Sequence, residues 1–274
     1  MHRIVDKYAV IGNPIGHSKS PLIHALFAQQ TKQDLIYSAM SCEPAEFINT
    51  AREFLIKEGK GLNVTVPFKL DAFALADQHT EWAKRAGAVN TVWCEQKSII
   101  ADNTDGVGLI RDIKDHQHWD IKDKRVLILG AGGAVRGVLS PLLAENPTSI
   151  IIANRTSEKA LQLANEFADL GVITGSSYTA LEGSFDLIIN GTSASLSGDV
   201  PPLSAALFHK NSACYDMMYG KTLTPFLEFV KTQGIDKLAD GLGMLVEQAA
   251  EAFFIWRGIR PQTSPIIQVV RQKL

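Results

Sequence analysis

RVLILGAGGAVRG, residues 125–137, decides the fold class. Val126 to Leu129 are apolar without alternation, which suits a central parallel strand buried on both faces. A glycine-rich turn and the start of a helical pattern follow at once. Gly130 and Gly132 take the first two positions of the G-x-G-x-x-G dinucleotide fingerprint. The first permits the tight turn; the second lets the backbone approach a pyrophosphate at a helix N-terminus. Val135 stands at the third position, a departure expected to loosen the packing of helix on strand.

The next strand tests that reading. In NAD sites it ends in Asp or Glu, which accepts from the ribose 2′-hydroxyl. Here IIIANRTSEK ends in Asn154, Arg155 and Thr156, with Lys159 one turn into the following helix. Neutral polar groups, a guanidinium and an ammonium attract a 2′-phosphate that a carboxylate would repel. The expectation is NADP rather than NAD. The structural alternative is a helix cap at Thr156 or Ser157 flanked by two solvated cations.

Outside this unit, short β-type runs alternate with helical patterns, the mark of an α/β protein. KYAVIG, LIYSAM and GLNVTV are expected strands, each followed by a helix, the third helix running through LDAFALADQHTEWAKRAG at 70–87. VNTVWCE and SIIADN form an expected hairpin. The pattern then restarts with RVLILG, SIIIAN, FDLIING and SACYDMM as strands and a helical tail from GMLVEQ onward. A restart near residue 105 in a chain of 274 residues predicts two domains. A net charge of −2 carries no basic signature, which argues against nucleic acid. No apolar run approaches membrane-spanning length. The N-terminus lacks signal-peptide features, and Cys42, Cys94 and Cys214 sit in no paired motif, so neither a structural metal nor disulfides are expected and the compartment is taken as cytoplasmic.

The first half carries polar clusters at strand ends and loops: Ser18 and Ser20 in GHSKSP, Asn63, Thr65 and Lys69 in NVTVPFK, Asn90 and Thr91 in GAVNT, Asn103 and Asp105 in DNTDGVG. Singly, each has a plain explanation. The serines could cap the helix that begins near Pro21, Asn103 to Gly106 could be a turn, and Lys69 could be a surface lysine. Together they suit a small polyhydroxylated ligand.

GNPIGHSKSPLIH, GLNVTVPFK, GAVNT, DNTDGVG, GAGGAVR, NRTSEK, NGTS, CYDMMYGKTLTPFL and ADGLGMLVEQAAEAF, in this order and over nearly the whole chain, resemble the successive motifs of the shikimate dehydrogenase family. Ala25 departs, standing where many members have Asn. The expected assembly is a monomer or homodimer. The resemblance implies NADP-dependent interconversion of 3-dehydroshikimate and shikimate. It implies an N-terminal α/β substrate domain, 1–105, completed by C-terminal helices in 241–274, and a Rossmann-type NADP domain, 106–240. It further implies that Lys69 and Asp105 are catalytic. Ser18, Ser20, Asn63, Thr65, Asn90, Gln248 and Tyr219 would bind substrate with them. Gly130, Ala131, Gly132, Gly133 and Ala134 would hold the pyrophosphate. Asn154, Arg155, Thr156 and Lys159 would hold the adenosine end, Thr192, Met217, Gly241 and Met244 would border the nicotinamide, and Glu81 would touch cofactor. A quinate/shikimate dehydrogenase and a non-catalytic ligand sensor on the same fold are the competing expectations.

Overall fold

The computed structural model describes residues 5–192, 194 and 198–274; Ser193 of the NGTS motif lies outside them. The chain divides into two compact units. One holds the residues through Gly108 together with Val246–Lys273; the other holds Leu109–Leu245.

In the first unit the elements run β1 (Asp6–Gly12), α1 (Ser20–Thr31), β2 (Leu35–Ser41), α2 (Phe47–Lys57), β3 (Gly59–Val64), α3 (Lys69–Leu75), β4 (Gln78–His79), α4 (Glu81–Ala86), β5 (Thr91–Glu95) and β6 (Ser98–Asp102). They form a mixed six-stranded sheet in the order β2-β1-β3-β5-β6-β4. β1 pairs in parallel with β2 and β3, whereas β5 runs antiparallel to both β3 and β6. The hairpin is present, its turn made by Gln96 and Lys97 at φ 48 and 72. The single helix expected over 70–87 is instead two short helices around β4. Asp77 Oδ2 accepts the Ile99 N–H at 2.8 Å, and Thr80 accepts from Ala83 N–H at 3.2 Å, capping a fresh helix. A side chain that satisfies the first-turn donors lets the chain restart where periodicity alone reads through.

The chain leaves this unit along α5 (Asp105–Arg111), which continues as one π-helical turn to His116. In the second unit come β7 (Arg125–Leu129), α6 (Gly133–Ala144), β8 (Ser149–Ala153), α7 (Ser157–Glu166), β9 (Ile173–Ser176), β10 (Leu187–Asn190), β11 (Ala213–Asp216), α8 (Pro225–Thr232) and β12 (Lys237–Asp240). All six strands are parallel, in the order β12-β11-β10-β7-β8-β9. Strand order reverses between β7 and β10, the point where doubly wound sheets receive ligands. β9 and β12 were not expected as strands. Both are four-residue edge strands with mixed composition, so each depends on its one neighbour for definition.

Finally come α9 (Leu242–Arg257) and α10 (Ser264–Arg271); from Val246 onward they belong to the first unit, while Leu242–Leu245 stay with the second. Arg257 ties α9 down, donating from Nη1 to Asp6 Oδ2 at 2.5 Å and from Nε to Gln33 Oε1 at 2.9 Å. Phe253 of α9 is fully buried against Phe27 of α1, with centroids 5.6 Å apart, and burying such a ring contributes about 1.5–3 kcal/mol. Among the described residues no helix is long and apolar enough to cross a membrane.

Candidate active site and nucleotide pocket

Three segments of the first unit meet at one polar cluster. The chain turns after β3, with the Phe68 N–H donating to the Thr65 carbonyl at 2.9 Å. That turn starts α3 at Lys69 and leaves its side chain half-buried rather than on open surface. Asp105 begins α5, its N–H held by Asn103 Oδ1 at 3.1 Å. Asn103 to Gly106 is thus not a turn throughout: Asp105 and Gly106 already belong to α5, and the Asn103 side chain holds the helix start that delivers the carboxylate. Lys69 Nζ donates to Asp105 Oδ2 at 2.5 Å, and Asn90 Nδ2 donates to Asp105 Oδ1 at 2.8 Å. Gln248 of α9 joins at the other side of Asn90, with Oε1 3.3 Å from Nδ2. Asn63, buried, is linked through Thr91 and the Asn90 carbonyl. Thr65 follows it, partly exposed.

Ser18 and Ser20 sit at the start of α1, but the N-cap is Lys19. Ser18 Oγ accepts the Ser20 N–H at 3.3 Å. Ser20 is buried, and its hydroxyl bonds to Tyr37, offsetting part of the rise that burial imposes on that phenol. Tyr37 stacks on His24 with centroids 4.0 Å apart. Burial pushes His24 down to about 3, against a smaller opposing pull from Asn63, so its ring is neutral. Beside the cluster, burial raises Asp102, while the Thr80 hydroxyl and the Asn103 N–H pull the other way.

In the second unit the glycine-rich turn lines a cavity of about 600 Å³ together with Asn154, Arg155, Tyr178, Thr192 and the segment Asp199–Pro202. Gly130 takes φ 101, a left-handed conformation that favours glycine. A β-carbon built at Gly132 or Gly133 meets nothing within 4 Å, so the turn presents bare backbone to the cavity at the start of α6. This fits a dinucleotide pyrophosphate. Val135 does not loosen the packing. It is fully buried, and the glycine that makes room for it is Gly191 at the end of β10.

Arg155 is exposed on the rim, and Asn154 Nδ2 is tied to the Thr156 carbonyl at 2.9 Å. Thr156 is the N-cap residue of α7, yet its side chain makes no capping bond. Thr156 and Lys159 flank Arg155 without lining the cavity, while Tyr178, which sequence reading missed, does line it. Burial raises the Tyr178 phenol, and the nearby Arg155 charge pulls it back. At the ends of β10, β11 and β12, Thr192 donates to Asn190 Oδ1 at 2.7 Å, and the Met217 N–H bonds to the Asn190 carbonyl at 2.9 Å. Gly241 lies against Met217, where a β-carbon would fall 2.2 Å from its carbonyl oxygen. Met244 is buried in the same core as Met217. Tyr219 belongs to this unit, raised by burial and then by the Asp240 charge. Glu81 is exposed on α4 of the first unit and paired with Lys84.

Comparison with known proteins agrees along the chain. Residues 10–92 match the family described as the shikimate dehydrogenase substrate binding domain. Residues 112–197 match shikimate / quinate 5-dehydrogenase, and 241–271 the shikimate 5'-dehydrogenase C-terminal domain. Shikimate dehydrogenase (NADP(+)) of Aeromonas salmonicida is 55% identical, covering 98% of this chain and 99% of that protein. The crystal structure of an Ael1 enzyme from Pseudomonas putida is 50% identical with a TM-score of 0.92, covering 96% of this chain and 97% of that one. Shikimate 5-dehydrogenase of Thermus thermophilus, solved with NADP(H) and shikimate, is 32% identical with a TM-score of 0.87, covering 98% and 100%. The chain belongs to the shikimate dehydrogenase family.

Proposed function

We infer that this chain catalyses the NADPH-dependent, reversible reduction of 3-dehydroshikimate to shikimate, a step toward chorismate and the aromatic amino acids. The observation that carries the reading is the Lys69–Asp105 pair at 2.5 Å, braced by Asn90 inside a cluster of amides and hydroxyls. When bound, the dinucleotide supplies a hydride to the carbonyl carbon of the substrate. Lys69 Nζ donates a proton to the oxygen on which negative charge develops, and takes it back in the reverse direction. Asp105 holds the lysine in line and accepts from a substrate hydroxyl. Ser18, Ser20, Asn63, Thr65, Asn90, Gln248 and, from the second unit, Tyr219 are the proposed substrate ligands.

The cofactor is proposed to lie on Gly130, Ala131, Gly132, Gly133 and Ala134, with Asn154, Arg155, Thr156 and Lys159 at the adenosine 2′-phosphate. Thr192, Met217, Gly241 and Met244 border the nicotinamide in this reading, and Glu81 is its outlying contact. Three unpaired cysteines support a cytoplasmic protein. A monomer or homodimer is the proposed assembly. The test is absorbance at the NADPH band with shikimate or quinate, each against NADP and NAD. Signal with shikimate and NADP is expected; its absence refutes the assignment, and stronger signal with quinate and NAD moves it to a quinate dehydrogenase.

A further inference from the structure

Asn63 and Asn90 have amides whose orientation is decided by backbone groups. The Thr104 N–H can only donate, and it lies 2.9 Å from Asn90 Oδ1, so the Asn90 nitrogen must face Asp105. The Asn90 carbonyl can only accept, and it lies 3.1 Å from Asn63 Nδ2, so the Asn63 oxygen must face Tyr37. These two constraints settle the hydroxyls between them. Thr91 Oγ1 receives the second Asn63 N–H at 3.1 Å, and its own proton goes to the nearer of two oxygens, Asn90 Oδ1 at 2.9 Å rather than Thr104 Oγ1 at 3.5 Å. Tyr37 has two neighbours: the Ser20 hydroxyl, which donates to the phenol oxygen, and Asn63 Oδ1 at 2.7 Å, which can only accept, so the Tyr37 proton goes to Asn63.

Every hydrogen bond then points the same way: Tyr37 to Asn63, Asn63 to Thr91, Thr91 to Asn90, Asn90 to Asp105. Bonds aligned head to tail polarise and strengthen one another in a buried setting. Thr91 has no exposed surface and so cannot itself be a ligand. Both N–H groups of Asn63 are consumed within the protein, which leaves only acceptor capacity at its oxygen.

We propose that Tyr37 and Thr91 are positioning residues that reinforce the orientation the backbone sets, fixing Asn63 in place as an acceptor and Asn90 as the donor that orients Asp105. This rests on the activity assigned above and adds which groups set the polarity of that site. It also restricts what Asn63 binds: a substrate hydroxyl that donates, not a carboxylate.

The test compares Thr91→Val, which keeps shape and removes the hydroxyl, with Thr91→Ser, which keeps the hydroxyl. Kinetics with shikimate and NADP are read alongside melting temperature and the side-chain amide signals of ¹⁵N-labelled protein. Thr91→Val is expected to lower kcat/KM for shikimate roughly tenfold or more, with KM for NADP unchanged. Thr91→Ser is expected to restore it, and the Asn63 and Asn90 amide signals are expected to move in the valine variant alone. If Thr91→Val does not fold, Tyr37→Phe decides: it retains the ring stacked on His24 and deletes the hydroxyl shared by Asn63 and Ser20, so lowered kcat/KM together with a moved Asn63 amide signal is the expected result. Valine and serine variants equally impaired, or a Thr91→Val or Tyr37→Phe enzyme with wild-type shikimate kinetics, would overturn the proposal. Wild-type protein inactive on shikimate refutes the assigned activity instead, and the amide signals then decide the hydrogen-bond chain by themselves.

Discussion

Val135 on α6 fills the space that Gly191 leaves open at the end of β10: a β-carbon built at Gly191 falls 2.5 Å from Val135 Cγ2. The close approach that the fingerprint's third glycine normally permits is thus provided from the strand side. Gly191→Ala is expected to destabilise the protein by about 1–3 kcal/mol, as overpacking does, and to weaken NADP binding. Val135→Ala in the same chain is expected to recover most of the loss. Urea unfolding of the two single variants and the double variant measures that coupling, and strict additivity would show that the two residues do not share the space.

Lys69 brings its amine to Asp105 at 2.5 Å. Lys69→Ala is expected to reduce kcat by roughly 10²–10⁴-fold while substrate affinity changes little, the usual scale for a lost general acid. Steady-state kinetics combined with calorimetric shikimate binding separates the two effects. Near-normal turnover would remove Lys69 from the mechanism.

Arg155 sits on the rim of the nucleotide cavity beside Tyr178. Arg155→Ala is expected to raise KM for NADP by roughly 10–100-fold, the loss of a charge-assisted bond to phosphate, with little change in KM for NAD. The ratio of kcat/KM for the two cofactors is the measurement. An unchanged ratio would place the 2′-phosphate elsewhere.

His24 gives the protein a pH-dependent stability. Burial lowers its imidazole from 6.5 to about 3, so the folded state keeps it neutral while the unfolded chain takes up a proton. Its contribution is fully present above about pH 6.5 and is lost as pH falls from there toward 3, at up to about 1.4 kcal/mol per pH unit. His24→Phe removes the titrating group, and its unfolding free energy is expected to fall less steeply between pH 6.5 and 4. Urea midpoints across that window check the difference in slope; parallel curves would mean that the imidazole titrates alike in both states.

The nucleotide half of the protein was legible in the sequence because its signal is local. Gly130 and Gly132 lie within three residues of the strand they follow, and Arg155 lies two residues past the next strand, so a turn, a helix start and a charge choice can each be read in place. The clustered polar motifs of the first half were legible as types, and the structure brings Lys69, Asn90, Asp105 and Gln248 to one point.

Only the tertiary structure decided how those groups are held. The Tyr37–Asn63, Asn63–Thr91 and Asn90–Asp105 bonds join residues 26, 28 and 15 apart, and no spacing rule announces which hydroxyl faces which amide. Tyr37 and Thr91 look like ordinary strand residues because β-propensity already explains them. Likewise Tyr178 was missed because it follows β9, an edge strand too short and mixed to read, and Val135 looked like a defect until Gly191 was seen beneath it. Local geometry is encoded by neighbours in sequence. Amide orientation, packing compensation and the setting of a half-buried lysine depend on groups that meet only when the chain is folded.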